Sequence, residues 1–310
     1  MMDIERTDID RAAAVFGEYR DLLFSVAYRI LGAAADAEDA VQDAWLRWSA
    51  ADRSQVADPK AYLARIVSNV AMDRLRSARA QRETYVGPWL PEPILTAADV
   101  HDAATAAETA DSVSMALLVV LETLTPFERA VFVLREAFGF SHAEIARAVD
   151  RSEDSVRQAA HRAREHVQAR RPGVRPDAAR QREVTESFLA AAAGGDINTL
   201  MEVLAPDVTL WTDGGGKVRQ AMRPVTGASR VAIWFGGVAA RPYRGVSPSD
   251  MSMELVELNG GPGIVFSGGG VIIATLSLDF DEAGQITAIY NVANPDKLNA
   301  VANRTIHPMP

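Results

Sequence analysis

The spacing of apolar residues changes once along this 310-residue chain, and that change fixes what it can fold into. In the first 170 or so residues, apolar positions such as Phe16, Leu22, Leu23, Val26, Ala27, Ile30 and Leu31 recur at helical intervals. Beyond about residue 176 the texture changes, and the segments VTLW, MSMELVEL, GIVF, VIIATLSLDF and ITAIYNVA have strand character instead. A helix over 178–193 precedes them and another, around 229–239, lies among them. Runs of helices followed by a run of strands point to separate parts. The chain is therefore expected to be multidomain: all-α at the front, with a separate, mostly antiparallel α+β unit behind.

Local signals subdivide the front half. Gly32 stops the first helix. Asp36 is a candidate cap for a second, with Ala40, Val41, Ala44, Trp45 and Trp48 turned inward and both tryptophans read as core. Asp58-Pro59 opens a third, a capping residue followed by proline at the first helical position. Tyr62, Ile66, Val70 and Leu75 face inward on it. Residues 85–111 begin YVGPWLPEP and run into an acidic, alanine-rich stretch, the composition of a linker. Thr125–Glu128 and Ser141–Glu144 are capping boxes. Expected domains are 1–84, the linker 85–111, 112–172 and 177–310.

Charge is distributed unevenly. The chain carries a formal net charge of −9, yet seven arginines face three acids between Arg151 and Arg175. A second basic block runs from Lys60 to Arg82, with six bases against one acid, whereas Asp36–Asp43 holds four acids and no base. The stretch FGFSHAEIARAVDRSEDSVRQAAHRARE reads as a short capped helix, a tight turn and a longer helix capped by Ser152. Val156, Ala160, Ala163 and Val167 form the inner stripe of the longer one. Ser155, Arg157, Gln158, His161, Arg162 and Arg164 lie on its other faces. That is a helix-turn-helix, whose second helix enters a major groove, with arginine suited to guanine edges and phosphates and glutamine to adenine. A basic, solvated surface helix is the plainer alternative.

No apolar run approaches the roughly 20 residues of a membrane span, and the acidic start MMDIERTDID has no secretory apolar core. A cytoplasmic protein is expected. With no cysteine, disulfides and thiolate metal sites are excluded, and no metal or cofactor is expected.

LGAAADAEDAVQDAWLRW, DPKAYLARIVSNVAMDRLRSARA and LTPFERAVFVLREAFGFSHAEIARAV together resemble extracytoplasmic-function (ECF) sigma factors, the first two matching their region 2 and the third their region 4. The resemblance implies a subunit that gives core RNA polymerase its promoter specificity, and no catalysis by the chain itself. It assigns Asp39, Gln42, Asp43 and Leu46 to the polymerase clamp. Arg65, Asn69, Asp73 and Arg76 are assigned to the single-stranded −10 element. Ser155, Arg157, Gln158, His161 and Arg162 are assigned to the duplex −35 element. Unwinding would draw on binding energy, since unstacking costs a few kcal/mol.

The segment EVTESFLAAAAGGDINTLMEVLAPDVTLWTDGGG resembles the opening of the SnoaL-like, NTF2-like cone. WLPEP (Trp89, Leu90, Pro91, Glu92, Pro93), DGGGK (Asp213, Gly214, Gly215, Gly216, Lys217) and NPDK (Asn294, Pro295, Asp296, Lys297) resemble marks of the ECF group that carries this domain fused. The resemblance implies regulation of the sigma core in cis. DGGGK also reads as a glycine turn and NPDK as a helix start. DGGGK is no Walker A loop, because Trp211 and Val218 stand where glycine and Ser/Thr are required. Trp89 and Leu90 are expected to dock near Asp213–Lys217 and Asn294–Lys297. Gly268–Gly270 reads as a bulge. A small-molecule ligand in this domain is one further expectation. Two other readings stay open: a helix-turn-helix regulator that does not engage polymerase, and a pocket enzyme using Asp213, Asp279 or Tyr290.

Overall fold

The computed structural model describes residues 2–82, 84–96, 113–170, 176–239 and 241–307. By internal packing it divides into two units. Among the described residues, one comprises those up to 82 and 120–170, and the other comprises 84–96, 113–119, 176–239 and 241–307.

The first unit is all helix. Its amino-terminal part is built from α1 (Met2–Leu31), α2 (Ala34–Ser49) and α3 (Pro59–Arg82). The three helices pack on one another, and Leu23, Val26, Ala27 and Ile30 of α1, Ala37, Ala40, Val41 and Ala44 of α2 and Leu63, Val67 and Ala71 of α3 are all buried. The alanine-lined face of α2 lets the three helices approach closely. Trp48 is core, 2% exposed, and its indole donates to the Ala12 carbonyl at 2.9 Å. Trp45 is half-buried, edge-on to Phe16. Gly32 ends α1 with φ 70°, and Asp58 caps α3 through the Ala61 amide. Asp36 does not cap α2. The helix starts earlier, with Ala33 at the cap position, and Asp36 falls in its first turn, where a carboxylate still complements the helix dipole.

Helix α4 (Met115–Leu121) leads into α5 (Pro126–Phe132), a wide π-type turn over Val133–Ala137, α6 (His142–Val149) and α7 (Glu153–Gln168). Both expected capping boxes form, at Thr125/Glu128 and Ser141/Glu144, and Ser152 caps α7 through the Ser155 amide. Asp150 closes α6 in the left-handed region at φ 52°, which aspartate tolerates better than most residues. Val156, Ala159, Ala160, Ala163 and Val167 are buried, so α7 keeps its polar faces outward.

The second unit is a six-stranded sheet in the order β2-β1-β6-β5-β4-β3. The strands are β1 (Leu204–Asp213), β2 (Val225–Thr226), β3 (Ser252–Leu258), β4 (Gly261–Gly268), β5 (Val271–Phe280) and β6 (Ile286–Val292). All pairings are antiparallel except β1 with β6. Helices α8 (Ala178–Gly194), α9 (Ile197–Val203) and α10 (Ala228–Ala239) cover one face. Phe188, Leu200, Val231 and Phe235 pack there on Leu210, Leu276, Leu278 and Ile289. A short α11 (Asn299–Ala302) follows β6. The expected bulge at Gly268–Gly270 is instead a two-residue turn. Gly268 pairs with Val271, and Gly269 and Gly270 have φ of 62° and 80°, as a hairpin of matching twist requires. The register irregularity sits one step earlier, between Phe266 and Ser267.

The stretch read as a linker is built into this second unit where it is described. Leu90 and Ile94 are fully buried. Leu90 packs with Met115, Ala116, Tyr290, Val292 and Leu298 on the sheet face opposite the helices. Leu95 bridges to Leu258 and Ile306, so the carboxy-terminal end of β3 has its edge paired, which blunts it as a template for other strands. Residues 97–111 of the expected linker lie outside the described residues.

Candidate functional site

Three exposed surfaces and one buried cluster hold the residues singled out above. On α2, Asp39, Gln42, Asp43 and Leu46 fall at three- and four-residue intervals and share one face. Asp39 and Gln42 are exposed and Leu46 is 58% exposed. Arg74 of α3 bridges Asp39 at 3.2 Å and Asp43 at 2.8 Å. The acidic helix thus presents an apolar residue amid carboxylates, an arrangement suited to a basic partner surface.

On α3, Arg65, Asp73 and Arg76 are exposed, and Asp73 pairs with Arg76 at 2.6 Å. Asn69 is half-buried and its amide donates to the Ala148 carbonyl of α6 at 3.0 Å. The helix assigned to the −10 strand therefore lies against the first helix of the helix-turn-helix. A buried charge cluster holds the same two parts together. Glu122 pairs with both Arg82 and Arg129, Arg79 donates to the Leu124 carbonyl at 2.7 Å, and Arg129 donates to the Arg29 carbonyl at 2.9 Å. Arg29 stacks over Phe138 at 4.7 Å, and burial pushes its guanidinium down to about 10.

On α7, Arg157, Gln158, His161 and Arg162 are exposed and Ser155 is half-buried. Among the described residues Arg157 pairs within its own helix, with Glu153 at 3.0 Å. Arg162 reaches Glu128 of α5 at 2.9 Å. Burial pushes the Glu128 carboxyl up, but hydrogen bonds from Arg162 and Thr125 outweigh it and leave the group below the usual carboxylate range.

The buried cluster gathers WLPEP, DGGGK and NPDK. Asp213, at the end of β1, is fully buried. Its carboxylate accepts from the Leu90 amide at 2.8 Å, the Tyr85 hydroxyl at 2.5 Å, the Gly215 amide at 3.1 Å and the Lys297 ammonium at 2.8 Å. Lys297 also donates to the Leu90 carbonyl at 2.5 Å and lies over the Trp89 ring, 3.9 Å from its centroid. One ion pair therefore satisfies both backbone groups of Leu90. Pro91 and Pro93 are buried and Trp89 and Glu92 half-buried. Asn294 donates to Tyr85 at 2.8 Å, and Lys217 binds Asp296 at 2.6 Å. Pro295 opens a short turn whose cap is the Asn294 side chain. Burial and the bond to Asp213 push the Tyr85 phenol up.

The glycines of DGGGK are required by this packing. A Cβ on Gly214 would overlap the Val218 carbonyl, one on Gly215 the Asn294 amide, and one on Gly216 would crowd Val86. Gly215 and Gly216 also have φ of 57° and 71°. Gly215→Ala is expected to destabilise this unit by about 1–3 kcal/mol, measured as a lowered urea midpoint. An unchanged midpoint would show that the turn relaxes freely.

Two participants were missed by the sequence reading. Tyr85 adjoins WLPEP, and Asn259 takes the Ile94 amide at 3.3 Å and gives its own amide to the Val113 carbonyl at 3.2 Å. Neither carries a local motif. Asp279 is buried and Tyr290 packs in the Leu90 cluster, and none of Asp213, Asp279 and Tyr290 lines the cavity on the helix-covered side of the sheet. Among the described residues no helix is long and apolar enough to cross a membrane.

Known proteins match this arrangement. The family model for Sigma-70 region 2 matches residues 15–81, and that for Sigma-70, region 4 matches 114–167. The chain is 39% identical over 289 residues to the ECF RNA polymerase sigma factor SigJ of Mycobacterium tuberculosis, covering 91% of each chain. It is 31% identical over 293 residues to the probable ECF RNA polymerase sigma factor SigI of that organism, covering 94% of this chain and 96% of that one. The crystal structure of Mycobacterium tuberculosis SigJ superposes with a TM-score of 0.73 at 36% identity, over 93% of this chain and 98% of that one. The fold class is the expected one in outline, two all-α sigma parts plus a carboxy-terminal α+β unit built on a six-stranded sheet. From its two matched regions and its near full-length likeness to these relatives, the chain belongs to the ECF RNA polymerase sigma factors, a family of transcription factors.

Proposed function

We propose that this chain binds core RNA polymerase, directs it to promoters with distinct −35 and −10 elements, and is regulated in cis by its carboxy-terminal unit. Asp39, Gln42, Asp43 and Leu46 meet the polymerase clamp. Ser155, Arg157, Gln158, His161 and Arg162 read the −35 duplex, and Arg65, Asn69, Asp73 and Arg76 hold the −10 strand. The chain performs no covalent step and works in the cytoplasm, where polymerase and promoter are found.

The observation that carries the regulatory part is the Asp213–Lys297 pair seated on both backbone groups of Leu90. Leu90 lies in the segment that joins the two nucleic-acid-binding parts. A sheet unit that holds this segment controls how far those parts can separate. Separation matters because Asn69 is engaged with the Ala148 carbonyl. To take a −10 base it must leave α6, so the described arrangement is a resting one and promoter binding opens it.

Arg157→Ala is expected to weaken binding of the polymerase-bound chain to a −35 duplex by about 1–3 kcal/mol. If the contact is to a phosphate, the slope of log affinity against log salt falls by about one. Fluorescence anisotropy at two or more salt concentrations checks both. Unchanged affinity would place the recognition surface elsewhere on α7.

A further inference from the structure

We propose that the carboxy-terminal unit binds a small, uncharged ring compound bearing one hydrogen-bond donor, of the phenol or cyclic-alcohol class, in a cavity between its helices and its sheet. The inference goes beyond the reading above and does not depend on it.

The cavity measures about 130 Å³ and is walled mainly by Phe188, Trp234, Phe235, Met253, Phe266 and Leu276. No Asp, Glu, Lys, Arg or His is among its lining residues, so a charged ligand would lose its hydration with nothing to replace it. An apolar cavity of about 150 Å³ in another protein accommodates benzene, which sets the ligand at one ring.

The polar feature of the wall is Asn291. Strands in the sheet alternate faces, and Asn291 follows Ile289 onto the helix-covered face, paired with Leu276 of β5. It is 6% exposed, and its Oδ1 has no hydrogen-bond partner among the described residues. A buried acceptor left unmet is unusual in a native structure and calls for a donor. The other side-chain polar atoms of the wall belong to Tyr243 and Trp234. The Tyr243 hydroxyl already accepts from Gln220, and burial pushes its phenol up, keeping it neutral. A ring with one hydroxyl donating to Asn291 Oδ1 fills the volume and satisfies the acceptor together. On the other face of β6, the flanking Tyr290 and Val292 pack against Leu90, so the strand bearing the acceptor also bears the linker segment.

The test is titration of the full chain with phenol, toluene and benzoate, followed by calorimetry and Trp234 emission. Phenol should bind saturably at one site, toluene about fivefold to tenfold more weakly, and benzoate not measurably. Asn291→Leu should reduce phenol to the toluene level and leave toluene unchanged. Ala274→Phe, or Ala192→Phe if the first does not fold by circular dichroism, should abolish both. Failure of phenol to saturate, equal binding of benzoate, indifference to Asn291→Leu, or binding that survives cavity filling would overturn the proposal. Each readout is binding alone, so failure here leaves the promoter and polymerase assignments standing.

Discussion

Asp213→Asn is expected to lower the stability of the sheet unit by about 3–5 kcal/mol and to release the linker segment around Leu90. The substitution keeps the side-chain volume but removes the charge that faces Lys297, whose side chain is 8% exposed. A buried ammonium without its carboxylate is the costly case; two matched apolar side chains in its place are not. The asparagine also replaces half of a carboxylate acceptor with a donor. The bonds from the Leu90 amide, Tyr85 and the Gly215 amide can no longer all be met. Hydrogen exchange at the Leu90 amide should accelerate strongly, and Trp89, freed from the Lys297 ammonium, should shift its emission. Adding Lys297→Met to Asp213→Asn should recover much of the lost stability, because the unpaired charge is gone. If Asp213→Asn leaves exchange at Leu90 unchanged, the ion pair is not what holds the segment.

The second large effect belongs to the helical unit. Glu122→Gln should destabilise it by about 3–5 kcal/mol, a fall in melting temperature on the order of 10 °C for a unit of this size. Glu122 is the carboxylate paired with Arg82 and Arg129, and Arg29 lies close by through its carbonyl. Arg129 is 1% exposed, and burial already pushes the Arg82 guanidinium below its ordinary value despite Glu122. Without that carboxylate the arginines repel, and the contact between α3 and the helix-turn-helix should loosen. Hydrogen exchange should rise across α5 and α6 while residues 204–292 stay protected. Asp213→Asn should give the converse pattern, so the pair separates the two units. Equal exchange increases in both units would show that one cooperative core, rather than two, stabilises the chain.

What could be read in the sequence was whatever local chemistry decides. The capping boxes at Thr125 and Ser141, the Asp58-Pro59 start and the inner stripe of α7 each depend on residues within one or two turns. The five main strands announced themselves by composition and flanking turns. Other features needed the folded chain. Asp36 looks like a cap, but the reversal at Gly32 lets α2 begin at Ala34 and moves Asp36 inside. Helix α9 has seven residues and buries only Leu200, too short for a period to show. The three glycines at 268–270 resemble a bulge until pairing shows two of them forming the turn. WLPEP, DGGGK and NPDK stood out by resemblance, whereas Tyr85 and Asn259 did not, because their partners lie 128 and 165 residues away. Asn291 gave no signal either. An asparagine in a strand becomes notable only when its neighbours prove to be a greasy wall.

The most direct test of the account is promoter-directed transcription with purified core polymerase, comparing the full-length chain with its Asp213→Asn variant on one promoter library. Both should start at the same sites, since the −10 and −35 residues are untouched, and the variant should differ in level by several-fold as the linker segment is released. No specific initiation by either would contradict the sigma reading and favour a helix-turn-helix regulator. Equal initiation levels, with Trp89 emission showing the segment released, would contradict control in cis by the carboxy-terminal unit.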